Sequence, residues 1–341
     1  MKKLLFLCLL CFGANLSAQA EGVLIVLHKS DHTAGFVDLK TNTTIGILPT
    51  GKNPHEVAVA PNQLTATITN YGSRNAPGNS LSVIDLVGLK VLKTIELDHS
   101  YPHGIVYLDD ERVLVTAEGN KAVIIVNIMS GTTEYSINTH QEISHMLALS
   151  PDKDFAYIAN IGSGSMSVID LTEFKLVKNI NTGKGAEGIA TRTDLQEVWV
   201  TNRAENSISV INTKSLDIER SLESESFPIR IQFTPNMNFA LVSNAQNGTL
   251  NIFDTKTYSM VKSIPMEVSS VEKSEQRLFQ NFENSPVPVG ILVHPTTPLV
   301  FVANTNADII TVIDLESQRI VHRIFTDKEP DGLGFYLPQS H

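Results

Sequence analysis

Short segments of alternating apolar and polar residues fill most of the chain, and one of them recurs seven times. Its copies read "HTAGFVDL", "NSLSVIDL", "KAVIIVNI", "GSMSVIDL", "NSISVINT", "GTLNIFDT" and "DIITVIDL". The Asp or Asn near the end of each copy recurs at intervals of 47, 42, 43, 42, 42 and 60 residues. A four-stranded propeller blade has a period of about 40–45 residues, so the repeat predicts a β-propeller.

Each repeat contains four strand-like segments, as residues 144–182 show. They read "SHMLALS", "DFAYIAN", "GSMSVIDL" and "KLVKNIN", and each is apolar or alternating over the length of one strand. We name these strands A, B, C and D, with A nearest the propeller axis. The prediction is therefore an all-β, seven-bladed β-propeller with four-stranded antiparallel blades.

The two ends of the repeated region complete each other. The last A segment, "PDGLGFYL" from Pro330, has no B, C and D segments after it, whereas "VLIVLHK", "TAGFVDL" and "TIGILPT" precede the first A segment at Pro54. We expect these N-terminal strands and the C-terminal inner strand to form one blade. Closing the ring in this way removes the open sheet edges, and it predicts a single propeller domain over residues 21–341.

The first twenty residues differ from the rest. Lys2 and Lys3 precede an apolar run from Leu4 to Phe12, and Ala18-Gln19-Ala20 follows, which is typical of a secretory signal peptide cleaved after Ala20. This predicts a periplasmic or secreted protein without a membrane span. Both cysteines, Cys8 and Cys11, lie in this leader, so a haem c attached through C-x-x-C-H is not expected.

Charge narrows the range of partners. The formal net charge is −10, and the acidic excess grows when the leader is removed. Such a surface repels polyanions, so no nucleic acid is expected to bind. No nucleotide is expected as cofactor, and we expect a monomer whose partner is a small molecule or an envelope protein.

The segments "AYIANIGSGSMSVIDL", "VWVTNRAENSISVIN" and "VFVANTNADIITVIDL" resemble the YVTN-repeat family of secreted β-propellers. The resemblance covers residues 22–338. It implies the seven-bladed fold and a more distant similarity to lactonase-like propellers and to the propeller domains of haem and quinone enzymes. It implies little about chemistry, since one fold carries many functions.

One repeat position carries ionisable residues that the blade itself does not need. It is the residue after the start of each A strand, and we call the seven residues there the mouth ring: His55, His103, His145, Glu187, Ile229, Val289 and Asp331. Because strand A lies next to the axis, this position is expected at one mouth of the central channel. Five consecutive blades, from Asp331 through His55 to Glu187, then form an ionisable arc.

Three imidazoles flanked by two carboxylates are a donor set that suits divalent transition metals. We therefore predict a metal site of Zn, Fe, Mn or Cu with the ligands His55, His103, His145, Glu187 and Asp331. The alternative is a set of hydrated polar groups at a channel mouth. Candidate catalytic residues are Glu56, Glu187 and Arg230, as general bases or second-sphere groups and as an anion clamp.

Two insertions are expected on the same face. The first, "YGSRNAPGNS" at 71–80, is predicted as a loop between strands B and C that carries Tyr71 and Arg74. The second spans about 266–286, with a short helix predicted from Glu272 to Phe282. Long loops at a propeller mouth often act as lids or specificity elements, although tolerated insertions look the same in sequence.

Three functions remain open at this stage. The first is an exported binding protein with a divalent-metal or small-ligand site at the channel mouth. The second is a metal-dependent hydrolase of lactonase or esterase type, in which Glu187 or Glu56 accepts a proton. The third is a metal-free protein-interaction scaffold of the cell envelope. Whether the protein is an enzyme stays open.

Overall fold

The computed structural model describes residues 20–268, 277, 279–282 and 284–338. These residues form seven antiparallel four-stranded sheets, which are the blades of a β-propeller. The prediction of the fold class is confirmed. Within the described ranges the protein contains no α-helix and a single 3-10 turn, Glu118–Asn120.

The strands follow the chain in blade order. Blade 1 contains β4 (Pro54–Val59), β5 (Thr65–Ser73), β6 (Ala76–Asp85) and β7 (Lys90–Glu96), and blade 2 contains β8 (Pro102–Tyr107), β9 (Arg112–Ala117), β10 (Ala122–Asn127) and β11 (Thr132–Asn138). Blade 3 contains β12 (Ser144–Leu149), β13 (Phe155–Asn160), β14 (Ser165–Asp170) and β15 (Lys175–Asn181).

The later blades repeat this order. Blade 4 contains β16 (Ala186–Arg192), β17 (Glu197–Asn202), β18 (Ser207–Asn212) and β19 (Ile218–Glu223). Blade 5 contains β20 (Pro228–Phe233), β21 (Phe239–Asn244), β22 (Thr249–Asp254) and β23 (Ser259–Pro265). Blade 6 contains β24 (Pro288–Val293), β25 (Leu299–Asn304), β26 (Ile309–Asp314) and β27 (Arg319–Phe325).

The seventh blade joins the two ends of the described chain. Its strands are β28 (Pro330–Tyr336), β1 (Val23–His28), β2 (Thr33–Asp38) and β3 (Thr43–Pro49), in the sheet order β28-β1-β2-β3. Antiparallel pairing of Val23 with Tyr336 and of Val26 with Leu333 joins the C-terminal strand to the N-terminal one. The predicted ring closure is therefore present.

The core lies between adjacent blades. Strands B and C are buried on both faces, whereas strand D alternates and is mostly exposed, as in β7. One cluster joins Val23, Ile25 and Phe36 of blade 7 to Ile68 and Ile84 of blade 1. The repeated Asp after strand C is structural: Asp85 Oδ1 accepts the backbone N–H groups of Val87 (3.0 Å) and Gly88 (3.2 Å) in the following turn.

The predicted loop at 71–80 is a hairpin. Strands β5 and β6 continue past the blade, and Gly72 pairs with Pro77 and Ser73 with Ala76. Gly72 has a φ of +80°, which a side chain disfavours, and this glycine lets the extension follow an irregularity after Asn70.

The prediction of a helix from Glu272 to Phe282 falls largely outside the described residues. The signal peptide prediction, residues 1–20, likewise lies almost entirely outside them and stays a prediction. Among the residues that the model describes, none belongs to a helix that is long and apolar enough to cross a membrane.

Candidate functional site

Every A strand begins with an irregularity that changes where its side chains point. In blade 1, Pro54 pairs with Asn70 and Val57 with Ile68, so His55 and Glu56 together lie opposite one residue of β5. Such a bulge interrupts the alternation of side chains and often re-aims one of them at a binding site. Blades 2, 3, 4 and 6 repeat the shift in the same place.

The bulges bring the whole mouth ring to one cavity of about 320 Å³. All seven residues line it, including the ionisable arc that was predicted from the repeat: His55, His103, His145, Glu187 and Asp331. On the apolar side, Ile229 and Val289 pack against Phe227, Phe279 and Phe282. The cavity volume is at the lower end of the range of about 300–1,000 Å³ for small-molecule sites.

The ring is tight because neighbouring A strands touch. A Cβ atom on Gly332 would lie 2.3 Å from the carbonyl oxygen of His55, so only glycine permits this approach. Hydrogen bonds from strand B also hold strand A of the next blade in place, since Thr69 Oγ1 of blade 1 donates to the backbone carbonyl of His103 in blade 2 at 2.8 Å. The positions of the histidines are thus set by backbone packing between blades.

A second repeat position lines the same cavity, and the sequence reasoning missed most of it. It is the residue that follows the strand-B partner of the first residue of strand A, and its backbone N–H donates to the carbonyl of the residue that precedes strand A in every blade. We call these residues the second ring: Lys29, Tyr71, Glu118, Ile161, Arg203, Ala245 and Thr305. The first five line the cavity. The signal was available, because each follows the residue, usually Asn, that ends strand B.

His145 is held between two carboxylates. Its Nδ1 lies 2.5 Å from Glu118 Oε1, and its Nε2 lies 3.4 Å from Glu187 Oε1 without a directed hydrogen bond. Burial alone lowers the pKa of His145, but Glu118 and Glu187 outweigh it, and the pKa is raised. His103, Glu118 and His145 bring ligand-type atoms within 4.8 Å of one another, and Glu118 already engages Nδ1 of His145.

The predicted catalytic candidates pair with one another across the channel. Arg230 Nη2 donates to Glu56 Oε1 at 2.8 Å, although blade 1 and blade 5 are on opposite sides of the ring, and Arg230 Nη1 lies 3.4 Å from Glu187 Oε1. Arg203 Nη1 donates to Glu187 Oε2 at 2.6 Å. Neither carboxylate is therefore a free base, and the Arg230 guanidinium is already neutralised.

These pairs shift the pKa values of both carboxyls. Burial alone raises the pKa of Glu187, but Arg203, His145 and Arg230 outweigh it and lower the pKa to about 2. For Glu56, burial dominates and raises the pKa, while Arg230 opposes the rise. Asp331 forms a separate pair with Lys29 Nζ at 3.2 Å, and its Oδ1 is buried without a hydrogen-bond partner in the described structure.

His55 and His103 are the neutral imidazoles of the site. His55 Nδ1 lies 2.9 Å from the carbonyl oxygen of Asn53, which can only accept, so Nδ1 carries the proton. Burial, with Lys29 nearby, lowers the pKa of His55 to about 3, which leaves Nε2 with a free lone pair at neutral pH. Burial also lowers the pKa of His103, whose Nδ1 is buried without a hydrogen-bond partner in the described ranges.

The fold and the site define a class of protein: a seven-bladed β-propeller with a ligand cavity at one mouth of its channel. The family follows from a comparison with protein-family models. The model of the cytochrome D1 heme domain matches residues 94–272, which is just over half of the chain, and the chain belongs to this family. No curated protein matches the sequence.

Solved structures share the fold at low sequence identity. Hydrazine synthase from Kuenenia stuttgartiensis is 18% identical with a TM-score of 0.70, covering 86% of this chain and 92% of that one. Dihydro-heme d1 dehydrogenase NirN in complex with DHE is 13% identical with a TM-score of 0.66, covering 93% and 75%. A functionally unknown protein from Desulfotomaculum acetoxidans DSM 771 is 14% identical with a TM-score of 0.75, covering 94% and 100%.

The cofactor prediction is wrong. A divalent transition metal was expected and haem c was excluded, but the chain belongs to a haem-domain family, which points to a haem-type group. His55, His103 and His145 were expected to bind one bare metal ion, and haem was excluded only because the chain lacks the C-x-x-C-H motif for covalent attachment. A tetrapyrrole that is held non-covalently needs no cysteine, so that motif could not test it. The narrower resemblance to the YVTN-repeat family stays a prediction.

Proposed function

We propose that this protein binds an iron tetrapyrrole of the haem d1 type at the mouth of its propeller channel. The proposal rests on family membership and on the state of His55. Its Nδ1–H is donated to a backbone carbonyl and its Nε2 carries a free lone pair. This is the arrangement that metal-ligating histidines adopt, because the second hydrogen bond fixes the tautomer and the ring orientation.

The donor set of the cavity fits such a group. The Nε2 atom of His55 would hold the iron of such a group, as histidine does in many haem proteins. Lys29 and Arg203 line the cavity, and the N–H groups that they do not donate to Asp331 and Glu187 suit the carboxylates of a tetrapyrrole. Ile229, Val289 and Phe279 offer an apolar wall to its macrocycle. When bound, the group would supply redox-active iron, whose properties would depend on the histidine that holds it and on nearby charges.

The chain's own residues give the two sides of the cavity different roles. The imidazole of His145 lies between Glu118 and Glu187, which raise its pKa. The pair of Arg230 with Glu56 crosses the channel and joins blade 5 to blade 1 at the mouth. We propose, from the predicted leader, that the protein acts in the periplasm or after secretion. We do not propose the hydrolase alternative, because it depended on the contradicted metal.

Absorption titration of the purified apoprotein with haem d1 tests the proposal, with protohaem as a comparison ligand. The wild-type protein should bind haem d1 and give the spectrum of a nitrogen-ligated iron. His55→Ala should lose that spectrum and at least about tenfold in affinity, the lower end of the cost of removing even an outer-shell partner. His322→Ala, which removes an exposed imidazole from β27, is the control and should behave as the wild type.

Two results would contradict the proposal. The first is a wild-type protein that shows no spectral change with haem d1. The second is a His55→Ala variant with wild-type spectrum and affinity, which would remove His55 as the ligand.

A further inference from the structure

Tyr71 connects the cavity to the outer surface of the mouth. It lines the cavity as a member of the second ring, and its ring stacks on His55 with a centroid distance of 4.3 Å and an interplanar angle of 28°. On its other side it contacts the ring of Tyr101 at 5.0 Å. Its hydroxyl donates to Glu118 Oε2 at 2.6 Å.

This environment suits the removal of one electron from a phenol. A phenol that loses an electron becomes a strong acid, so its proton must leave at the same time. The proton needs an acceptor within hydrogen-bond distance, and Glu118 supplies one. Its other oxygen is engaged by His145, so the carboxylate is held in place on both sides.

The geometry points to Tyr71 as a one-electron relay between the cavity and the mouth surface, with Glu118 as its proton acceptor. In this step one electron passes from the phenol ring to a one-electron oxidant, such as an oxidised metal complex. The O–H bond breaks, and the proton moves to Glu118 Oε2. The products are a neutral tyrosyl radical, a protonated Glu118 and the reduced oxidant; return of one electron and the proton restores the starting state.

Two other tyrosines show what is particular to Tyr71. Tyr101 donates its hydroxyl to the carbonyl of Arg74 at 3.2 Å, and a backbone carbonyl cannot take up the proton. Tyr258 does have a carboxylate partner, Glu197 at 2.5 Å, but the guanidinium of Arg220 lies 4.3 Å from its ring centroid and disfavours the loss of an electron. Tyr258 also precedes β23, in a C–D turn on the face opposite to the cavity.

The relay would serve the iron group of the proposed function, but the chemistry of Tyr71 requires only the apoprotein. It can therefore be tested with a photogenerated ruthenium(III) tris-bipyridine oxidant and no haem. Freeze-quench electron paramagnetic resonance measures the yield of tyrosyl radical, and transient absorption measures its rate of formation in H₂O and D₂O. Failure here leaves the haem proposal standing, and failure of the haem titration leaves this one standing.

We expect a tyrosyl radical in the wild-type protein and loss of its main component in Tyr71→Phe. Tyr101→Phe is the matched control for loss of a neighbouring ring, and it should retain that component, as should Tyr258→Phe. Glu118→Gln keeps the size of the side chain but removes the proton acceptor, so the radical should form more slowly. Circular dichroism checks that each variant is folded.

The inference is overturned if Tyr71→Phe gives the wild-type yield or if Tyr258→Phe removes the signal. It is also overturned if Glu118→Gln forms the radical as fast as the wild type, because proton transfer to Glu118 would then have no part in the oxidation.

Discussion

Replacing Arg230 with methionine removes the charge that joins opposite sides of the channel. Arg230 Nη2 lies 2.8 Å from Glu56 Oε1, and Nη1 lies 3.4 Å from Glu187 Oε1. The Arg230 and Glu56 side chains are only 9% and 15% exposed, so water cannot replace the lost partner fully. Methionine keeps much of the length of the side chain, so the change concerns charge more than volume.

The loss of stability in Arg230→Met can be estimated from the distance between the charges and from their burial. At an effective dielectric constant of about 20, the 2.8 Å contact alone corresponds to an attraction of about 6 kcal/mol. Desolvation of the guanidinium offsets part of this, whereas the variant leaves the Glu56 carboxylate buried and unpaired. We therefore expect Arg230→Met to lower the free energy of unfolding by about 3–5 kcal/mol, as for other buried pairs that lose one partner.

The loss of unfolding free energy caused by Arg230→Met should depend on pH. Burial raises the pKa of Glu56, and Arg230 opposes that rise, so the variant has a still higher pKa at Glu56. A carboxyl group with a raised folded pKa favours folding at low pH, and this contribution is lost as the pH rises through the folded pKa. The destabilisation by Arg230→Met should thus be largest near neutral pH and should shrink on acidification, when Glu56 takes up a proton.

Urea unfolding at several pH values measures the change in the free energy of unfolding, and urea adds no salt that would screen the charges. Arg230→Met combined with Glu56→Gln should recover part of the lost stability, since no unpaired Glu56 carboxylate remains. Lys90→Met is the control: Lys90 is 66% exposed and lies 3.7 Å from Asp85, so its loss should cost only about 0–1 kcal/mol. A cost below about 1 kcal/mol for Arg230→Met, or a double variant no more stable than the single one, would refute the reasoning.

Two further predictions concern His145 and the closure of the ring. In Glu118→Gln the pKa of His145 should fall, because one of the two carboxylates that raise it is gone, and an NMR titration of the imidazole would show it. The raised pKa of His145 stabilises the wild-type fold at pH values below 6.5, the pKa of an unfolded histidine, and this contribution is lost as the pH rises through the folded pKa. If the titration midpoint of His145 is the same in Glu118→Gln as in the wild type, Glu118 does not raise the pKa of His145. A chain that ends at Glu329 lacks β28, exposes the edge of β1, and should aggregate or lose most of its thermal stability. Thermal unfolding like that of the full chain would rule out this role of the closing strand.

The fold was predictable because the same pattern of four strand-like segments occurs seven times along the chain. Every blade start was located from the repeat, from Pro54 in β4 to Pro330 in β28, because a strand signal that is weak in one copy becomes clear in seven. The hairpin at 71–80 was mistaken for a loop, because its Gly, Pro and Asn residues are typical of turns and only the pairing of Gly72 with Pro77 extends the strands.

The site was only partly predictable. The mouth ring was found because its residues break a repeat, but Lys29, Glu118 and Arg203 were not, since single charged residues after a strand look like ordinary surface positions. Lys29 pairs with Asp331 inside blade 7 and Arg203 pairs with Glu187 inside blade 4, whereas Glu118 of blade 2 contacts His145 of the neighbouring blade 3. No spacing along the chain encodes such pairs.

The sequence by itself determined the seven blades, the closure of the ring by both ends and the residues of the mouth ring, because these depend on a local pattern repeated along the chain. Tertiary structure decided the chemistry of that mouth. Arg230 and Glu56 are 174 residues apart and meet only when the ring closes. Tertiary packing lowers the pKa values of His55 and His103, raises that of His145, and pairs Glu187 and Asp331 with cations, since pKa values depend on burial and on neighbours in space.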